Sequence, residues 1–231
     1  MSGFNQMLIG ATDVSTYGLY LVKVPPIVKP PKRVRRITIP GRSGHLTEWS
    51  GDYESYIKEP EFYYSGSALE TALNALRVAE LVTFGNESTY AYEVRADEQI
   101  EVRMDRAGGY EIKVAYITQP LKRLATEPVH DEETTYSITN IGNEPAYPKL
   151  VVTGAGSKTV TVGTQTITLA FAAGGETLTI DSLNGMVYDG SGNNAWNKLT
   201  GDLPYIPVSS SAITVSTTGS ALTVYPNWRW S

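Results

Sequence analysis

The sequence contains no cysteine. Disulfides, thiolate nucleophiles and thiolate metal sites are thereby excluded, and packing alone must hold the fold. Positive charge is also scarce: 19 Lys and Arg stand against 24 Asp and Glu, a formal net charge of -5. That balance argues against a surface built to neutralise phosphates, so sequence-specific nucleic acid is not expected as a partner. No run approaches the roughly 18 apolar residues a membrane span needs. The start MSGFNQMLIGATDV has no basic segment followed by an apolar one, as a secretory signal would. The expectation is a chain made and kept in the cytosol unless assembly carries it elsewhere, with no membrane partner, and the sequon Asn86-Glu87-Ser88 is then incidental. Histidine is nearly absent too. His45 and His130 lie far apart and nothing supplies a nucleophile elbow, so a His-based hydrolase is disfavoured.

What is present is a globular composition, 41% hydrophobic and 10% aromatic over 231 residues, enough for one large domain or two small ones. Short alternating runs separated by Gly, Pro, Asn and Asp predict β-strands over 17–24 (YGLYLVKV), 34–39 (VRRITI), 90–96, 100–104 and 110–117. One segment differs. Ser67-Ala68-Leu69-Glu70 matches a capping box, and Leu69, Ala72, Leu73 and Leu76 recur at helical spacing, predicting one amphipathic helix of about three turns. Residues 122–133 (KRLATEPVHDEE) are charged and carry a proline, as a linker would. Beyond them charge thins out. Strands are expected at 150–153, 159–162, 165–170, 176–181, 185–188, 212–216 and 221–225, the pattern of an antiparallel sandwich. The reading is mainly β with one helix: an N-terminal α+β domain at 1–121, a linker at 122–135 and a C-terminal antiparallel β-sandwich at 136–231.

Several chemical motifs fail on context. The run Asp189-Gly190-Ser191-Gly192-Asn193 places oxygens like a calcium loop, but Asn194 and Thr200 stand at the sixth and twelfth positions and no helix flanks it, so a hairpin turn is favoured. Gly190-x-Gly192-x-x-Ala195 echoes a dinucleotide fingerprint, which has meaning only between a parallel strand and a helix. Gly154 to Thr159 lacks the Gly-Lys pair of a P-loop. Trp228 and Trp230, after Pro226, are expected to seal a sandwich edge. No catalytic, cofactor-binding or metal-binding residue is assigned.

The positive charge that exists is concentrated. Lys29, Lys32, Arg33, Arg35 and Arg36 crowd into one run, readable as a contact strip for an acidic neighbour or a nucleic acid passing close by, or as a charged, solvated edge strand. Downstream, residues 39–53 read as a long loop carrying Arg42, His45, Glu48, Trp49 and Asp52. Trp49, His45, Glu48 and Asp52 could line a sugar site, yet an interface whose aromatics a partner buries is favoured. The candidate subunit-interface residues are therefore Lys29, Lys32, Arg33, Arg35, Arg36, Arg42, His45, Trp49 and Asp52, with Glu48, Asp52, Glu54, Glu59 and Glu61 as possible acidic counterparts.

In order, Tyr17-Gly18-Leu19, the Pro40-Gly41-Arg42-x-Gly44 loop, the short helix and a strand ending in Gln119-Pro120 resemble the first domain of siphophage distal tail proteins. Asn140-Ile-Gly142-Asn143, Pro145-Ala-x-Pro148, Gly154-x-Gly156, residues 180–182, Asn193-Asn194, residues 199–204 and Pro226-x-Trp228-Arg229 are similar to that family's C-terminal galectin-like sandwich. The resemblance spans nearly the whole chain and implies a structural, non-enzymatic protein without cofactors. It implies a homohexameric ring at the virion tail tip, made in the host bacterium's cytoplasm, with the N-terminal domain forming the ring. Its partners would be itself, the tail tube protein and a tail-associated hub or fibre protein. The alternative is a carbohydrate-binding module; a glycosidase using carboxylates such as Glu48 and Asp52 ranks below both.

Overall fold

The computed structural model describes residues 3–106, 108–209 and 211–231, and says nothing of the side chains of Glu132 and Glu133. It is mostly β, with one α-helix, and divides into a unit of residues 1–125 with Ser231 and a unit of residues 126–230.

The first unit is built on a bend. Tyr56–Lys58 and Glu61–Tyr64 run almost continuously, as do Tyr110–Lys113 and Tyr116–Thr118, and the two ribbons pair antiparallel along their length, Lys58 opposite Tyr116 and Phe62 opposite Ile112. The sequence predicts one strand over 110–117; the structure breaks it, because Pro60 has no N–H to give the ladder and its carbonyl takes the N–H of Val114 at the break. Each half then joins a different sheet. One holds, in order, Thr12–Asp13, Met7–Ile9, Leu81–Phe84, Tyr90–Arg95, Tyr116–Thr118 and Tyr56–Lys58; the other holds Glu101–Met104, Tyr110–Lys113, Glu61–Tyr64 and Leu19–Lys23. Met7, Leu19, Phe62, Tyr64, Leu76, Phe84, Tyr92, Ile112 and Tyr116 form the shared core.

The helix runs Leu69–Arg77, with Ala72 and Leu76 fully buried and Leu69 and Leu73 packed at the margin of the core. The capping box does not form. Ala68 is the N-cap and no side chain caps it, since starting at Leu69 puts Glu70 one position too early to reach back to the cap. The helix is nine residues, shorter than expected, and Tyr116 ties it down by donating its hydroxyl to the Leu76 carbonyl at 2.9 Å.

The second unit is an antiparallel sandwich of two five-stranded sheets. One is ordered His130–Glu133, Ala221–Tyr225, Lys149–Gly154, Glu176–Asp181, Met186–Asp189; the other Thr135–Ile138, Ile213–Thr217, Ser157–Val162, Gln165–Ala170, Leu199–Thr200. Alternation does the sorting: Leu150, Val152, Leu222 and Val224 are buried and Thr153 and Ala221 exposed. Residues 122–135, expected as a linker, are instead largely strand, at Lys122–Leu124, His130–Glu133 and Thr135–Ile138. Their charges did not prevent pairing: Lys122 is taken up by Glu87 at 2.6 Å, and the backbone completes ladders with Ala91, Leu222 and Val224. Trp228 is buried at 2% exposure, whereas Trp230 is only partly buried.

Asn140 organises the turn-rich opening of the sandwich. Its Nδ2 lies 3.0 Å from the Glu144 carbonyl and 3.3 Å from those of Ile206 and Pro207, and its Oδ1 accepts the Gly142 N–H at 2.8 Å. Asn140→Ala strands those groups in a site where Asn140 is only 7% exposed. The expected cost is about 1–3 kcal/mol, read as a lower urea midpoint with an unchanged slope.

Candidate functional site

The candidate interface residues gather on one element. Lys32–Thr38 and His45–Tyr53 pair as an isolated two-stranded hairpin, with Arg35 opposite Glu48, Arg36 opposite Thr47, Ile37 opposite Leu46 and Thr38 opposite His45. The expectation of a long loop over 39–53 is thus corrected to a tight turn and a nine-residue strand. The turn is legible in retrospect: Ile39-Pro40-Gly41-Arg42 closes with the Arg42 N–H on the Ile39 carbonyl at 3.1 Å, and Gly41 takes φ +79° at the position where a type II turn needs it. Strand signal was masked by Gly51 and by the charges along the run.

Lys32, Arg33, Arg35, Arg36, Arg42, His45, Trp49 and Asp52 are all exposed on this hairpin, and Lys29 precedes it, its ammonium 2.5 Å from the Ser231 carbonyl. A lone two-stranded ribbon is marginal in water. Its base is held by an aromatic knot: the Lys32 ammonium sits 3.9 Å from the centre of the Trp49 ring, Trp49 meets Tyr53 edge-on at 5.7 Å, and the indole N–H donates to the Asp52 carbonyl at 2.9 Å. Leu46 at 45% and Trp49 at 44% exposure still face water.

The acidic counterparts divide. Glu48 and Asp52 belong to the hairpin itself. Glu61 and Glu59 lie at the open face of the four-stranded sheet, paired with Lys23 at 2.6 Å and Lys113 at 3.5 Å. Hydrogen bonding and charge between them hold Lys23 above and Glu61 below their ordinary values. That face carries a groove of about 500 Å³ lined by Val22, Glu61, Tyr63, Glu101, Arg103 and Glu111 among others.

Sequence reasoning missed Lys58. It is 2% exposed, its ammonium 4.3 Å from the centre of the Tyr92 ring and 5.6 Å from that of Phe84, and it donates to the Pro26 carbonyl at 3.0 Å. Beside it Glu87 accepts from Lys122 at 2.6 Å and from the Tyr92 hydroxyl. Asn86, read as part of an incidental sequon, donates to the Pro25 carbonyl at 3.1 Å.

In the second unit the calcium-like run is a turn satisfied by its own backbone: Asp189 Oδ1 accepts the N–H groups of Ser191 and Asn193, both at 2.9 Å. These bonds lower the Asp189 carboxyl below its ordinary value. Among the described residues no group of three or more His, Asp or Glu could hold a metal ion. The Gly190-to-Ala195 stretch runs from a strand into a single 3-10 turn, not a phosphate-binding helix. His130 packs against Tyr136, ring centres 5.3 Å apart. A hollow of about 270 Å³ is lined by Met186, Val187, Tyr188, Gly192, Asn194 and Trp196, with the Trp196 indole 41% exposed. No helix among the described residues is long and apolar enough to cross a membrane.

By sequence, no family model and no curated protein matches the chain. By structure, it is similar to the crystal structure of the SPP1 Dit (gp 19.1) protein, described as a paradigm of the hub adsorption apparatus in phages that infect Gram-positive bacteria. The likeness has a TM-score of 0.66 at 13% sequence identity and covers 95% of this chain and 97% of that one, so both units share the fold of that protein.

Proposed function

We propose that the chain is a structural, non-enzymatic component of a phage tail tip, six copies forming a ring that joins the tail tube to a distal hub or fibre protein. The observation that carries this reading is the fold likeness to a phage hub protein along nearly the full length of both chains. The hairpin supports it as well: a charged, half-apolar ribbon of marginal intrinsic stability is suited to being covered by a second copy. In a closed ring each protomer uses two different surfaces, and the basic hairpin needs an acidic complement. The open face of the four-stranded sheet offers one in Glu111 and in Glu59, Glu61 and Glu101, the last three held in exposed ion pairs weak enough to be exchanged.

The Trp196 hollow favours a second reading, a saccharide-binding module, because an exposed indole beside a tyrosine can stack on a sugar ring. Light scattering and negative-stain imaging separate the two. A six-membered ring is expected; a monomer that binds glycans on an array, and loses them on Trp196→Ala, would replace the ring reading with the second.

A further inference from the structure

We propose that Lys58, with Asn86, is a latch that sets the direction of the hairpin by gripping the root of the segment that leads into it. The inference rests on the ring reading for its purpose, but its geometry stands within the first unit alone.

A buried ammonium is costly unless it is paired. Among the described residues no carboxylate is bonded to Lys58, for Glu87, the acid beside it, is taken by Lys122 and Tyr92. A methionine or leucine would pack against Phe84 and Tyr92 without that cost, and such replacements of buried charges are often neutral or stabilising. The fold of the sheet therefore does not require a lysine at 58. What the lysine adds is a charge-assisted, directional bond to the Pro26 carbonyl, twinned by the Asn86 bond to Pro25.

These two carbonyls open the run Val24-Pro25-Pro26-Ile27-Val28-Lys29-Pro30-Pro31, in which four prolines restrict their own φ and the conformation of the residues before them. Such a run is a semi-rigid spacer. Fixing one end of a stiff strut aims the other, and at that other end the Pro31 carbonyl receives the Glu54 N–H at 2.8 Å, closing the base of the hairpin. The two clamps bracket the strut.

Burial holds Lys58 below the ordinary lysine value, at about 8, with Glu87 opposing the shift and Lys122 adding to it. The other titratable groups around it are Tyr56, pushed up to about 12 by burial and by Glu87, Tyr92, raised further by burial and its bond to Glu87, and Tyr90 under Lys122. Losing the proton as pH rises removes the charge assistance. The unfolded chain binds more protons than the folded one above about 8, so global stability rises with pH there while the grip weakens.

Because the sequence has no cysteine, Ser43→Cys in the hairpin turn and Thr71→Cys on the helix take spin labels uniquely. Distance distributions are measured on dilute chain, at about pH 7 and about pH 9. A single narrow distance at the lower pH is expected, broadening at the higher pH and in Lys58→Met, with Asn86→Ala giving a smaller broadening. A distribution in Lys58→Met as narrow as in the unmodified chain overturns the latch. Should Lys58→Met fail to fold, unchanged widths in both Asn86→Ala and the higher-pH sample overturn it equally. A chain that never forms rings sinks the ring reading and leaves this measurement intact.

Discussion

Replacing Arg33, Arg35 and Arg36 together with glutamine is expected to collapse the proposed ring to monomers at physiological salt. All three are exposed on the first strand of the hairpin, so their removal leaves the core of the first unit untouched. Exposed charge pairs contribute about 0.2–1 kcal/mol each. Three lost per contact amount to roughly 2 kcal/mol, about thirty-fold in each contact constant, and a closed ring needs every contact made at once. Charges further apart than about 8 Å are screened at 0.15 M ionic strength, so the parent ring should itself loosen with added salt and the variant should recover little at low salt. Mass measured by light scattering across a salt series checks this, and a variant with the parent's ring mass at low salt would remove the strip from the interface.

The second large effect is on stability. Phe62 is 1% exposed in the middle of Glu61–Tyr64, between the Leu19–Lys23 and Tyr110–Lys113 strands. Phe62→Ala is expected to cost about 3–5 kcal/mol through lost burial and the cavity left behind. A domain has only about 5–15 kcal/mol in total, so the first unit should be partly unfolded in mild urea. Val22→Ala, on the open face at 64% exposure, serves as the comparison and should stay within about 0.5 kcal/mol of the parent. Equal midpoints for the two variants would contradict the packing described for Phe62.

The sandwich strands were legible because period-two alternation decides which face is buried, and Gln165–Ala170, Glu176–Asp181 and Ala221–Tyr225 fall where the pattern puts them. The first unit was harder to read. Glu61–Tyr64 (EFYY) and Tyr56–Lys58 are too short to show a period, and their bend at Pro60 is a tertiary event in which one ribbon serves two sheets. The helix was found but its start misplaced, because a capping-box pattern does not say which residue begins the helix. At the candidate site, the basic run and the aromatics were visible in the sequence but were given the wrong element, because their pairing as one ribbon depends on register. Lys58 carried no signal, since a lysine after two apolar residues looks like any solvated strand position; only the packing of Phe84, Tyr92 and Pro26 around it gives it a role.

The strand order of the second unit also constrains how the chain can be made. Ala221–Tyr225 lies between His130–Glu133 and Lys149–Gly154, and Ile213–Thr217 lies between Thr135–Ile138 and Ser157–Val162. Both sheets thus have a late segment in their interior, and one cannot be complete until residue 225, nor the other until residue 217, has cleared the ribosome. At roughly 5–20 residues per second, the earlier strands spend several seconds with unpaired edges. The first unit has almost all of its own strands in hand by then. His130–Glu133 and Thr135–Ile138, whose partners are Ala221–Tyr225 and Ile213–Thr217, wait longest, while Lys149–Gly154 and Ser157–Val162 each gain one early neighbour and keep one edge open.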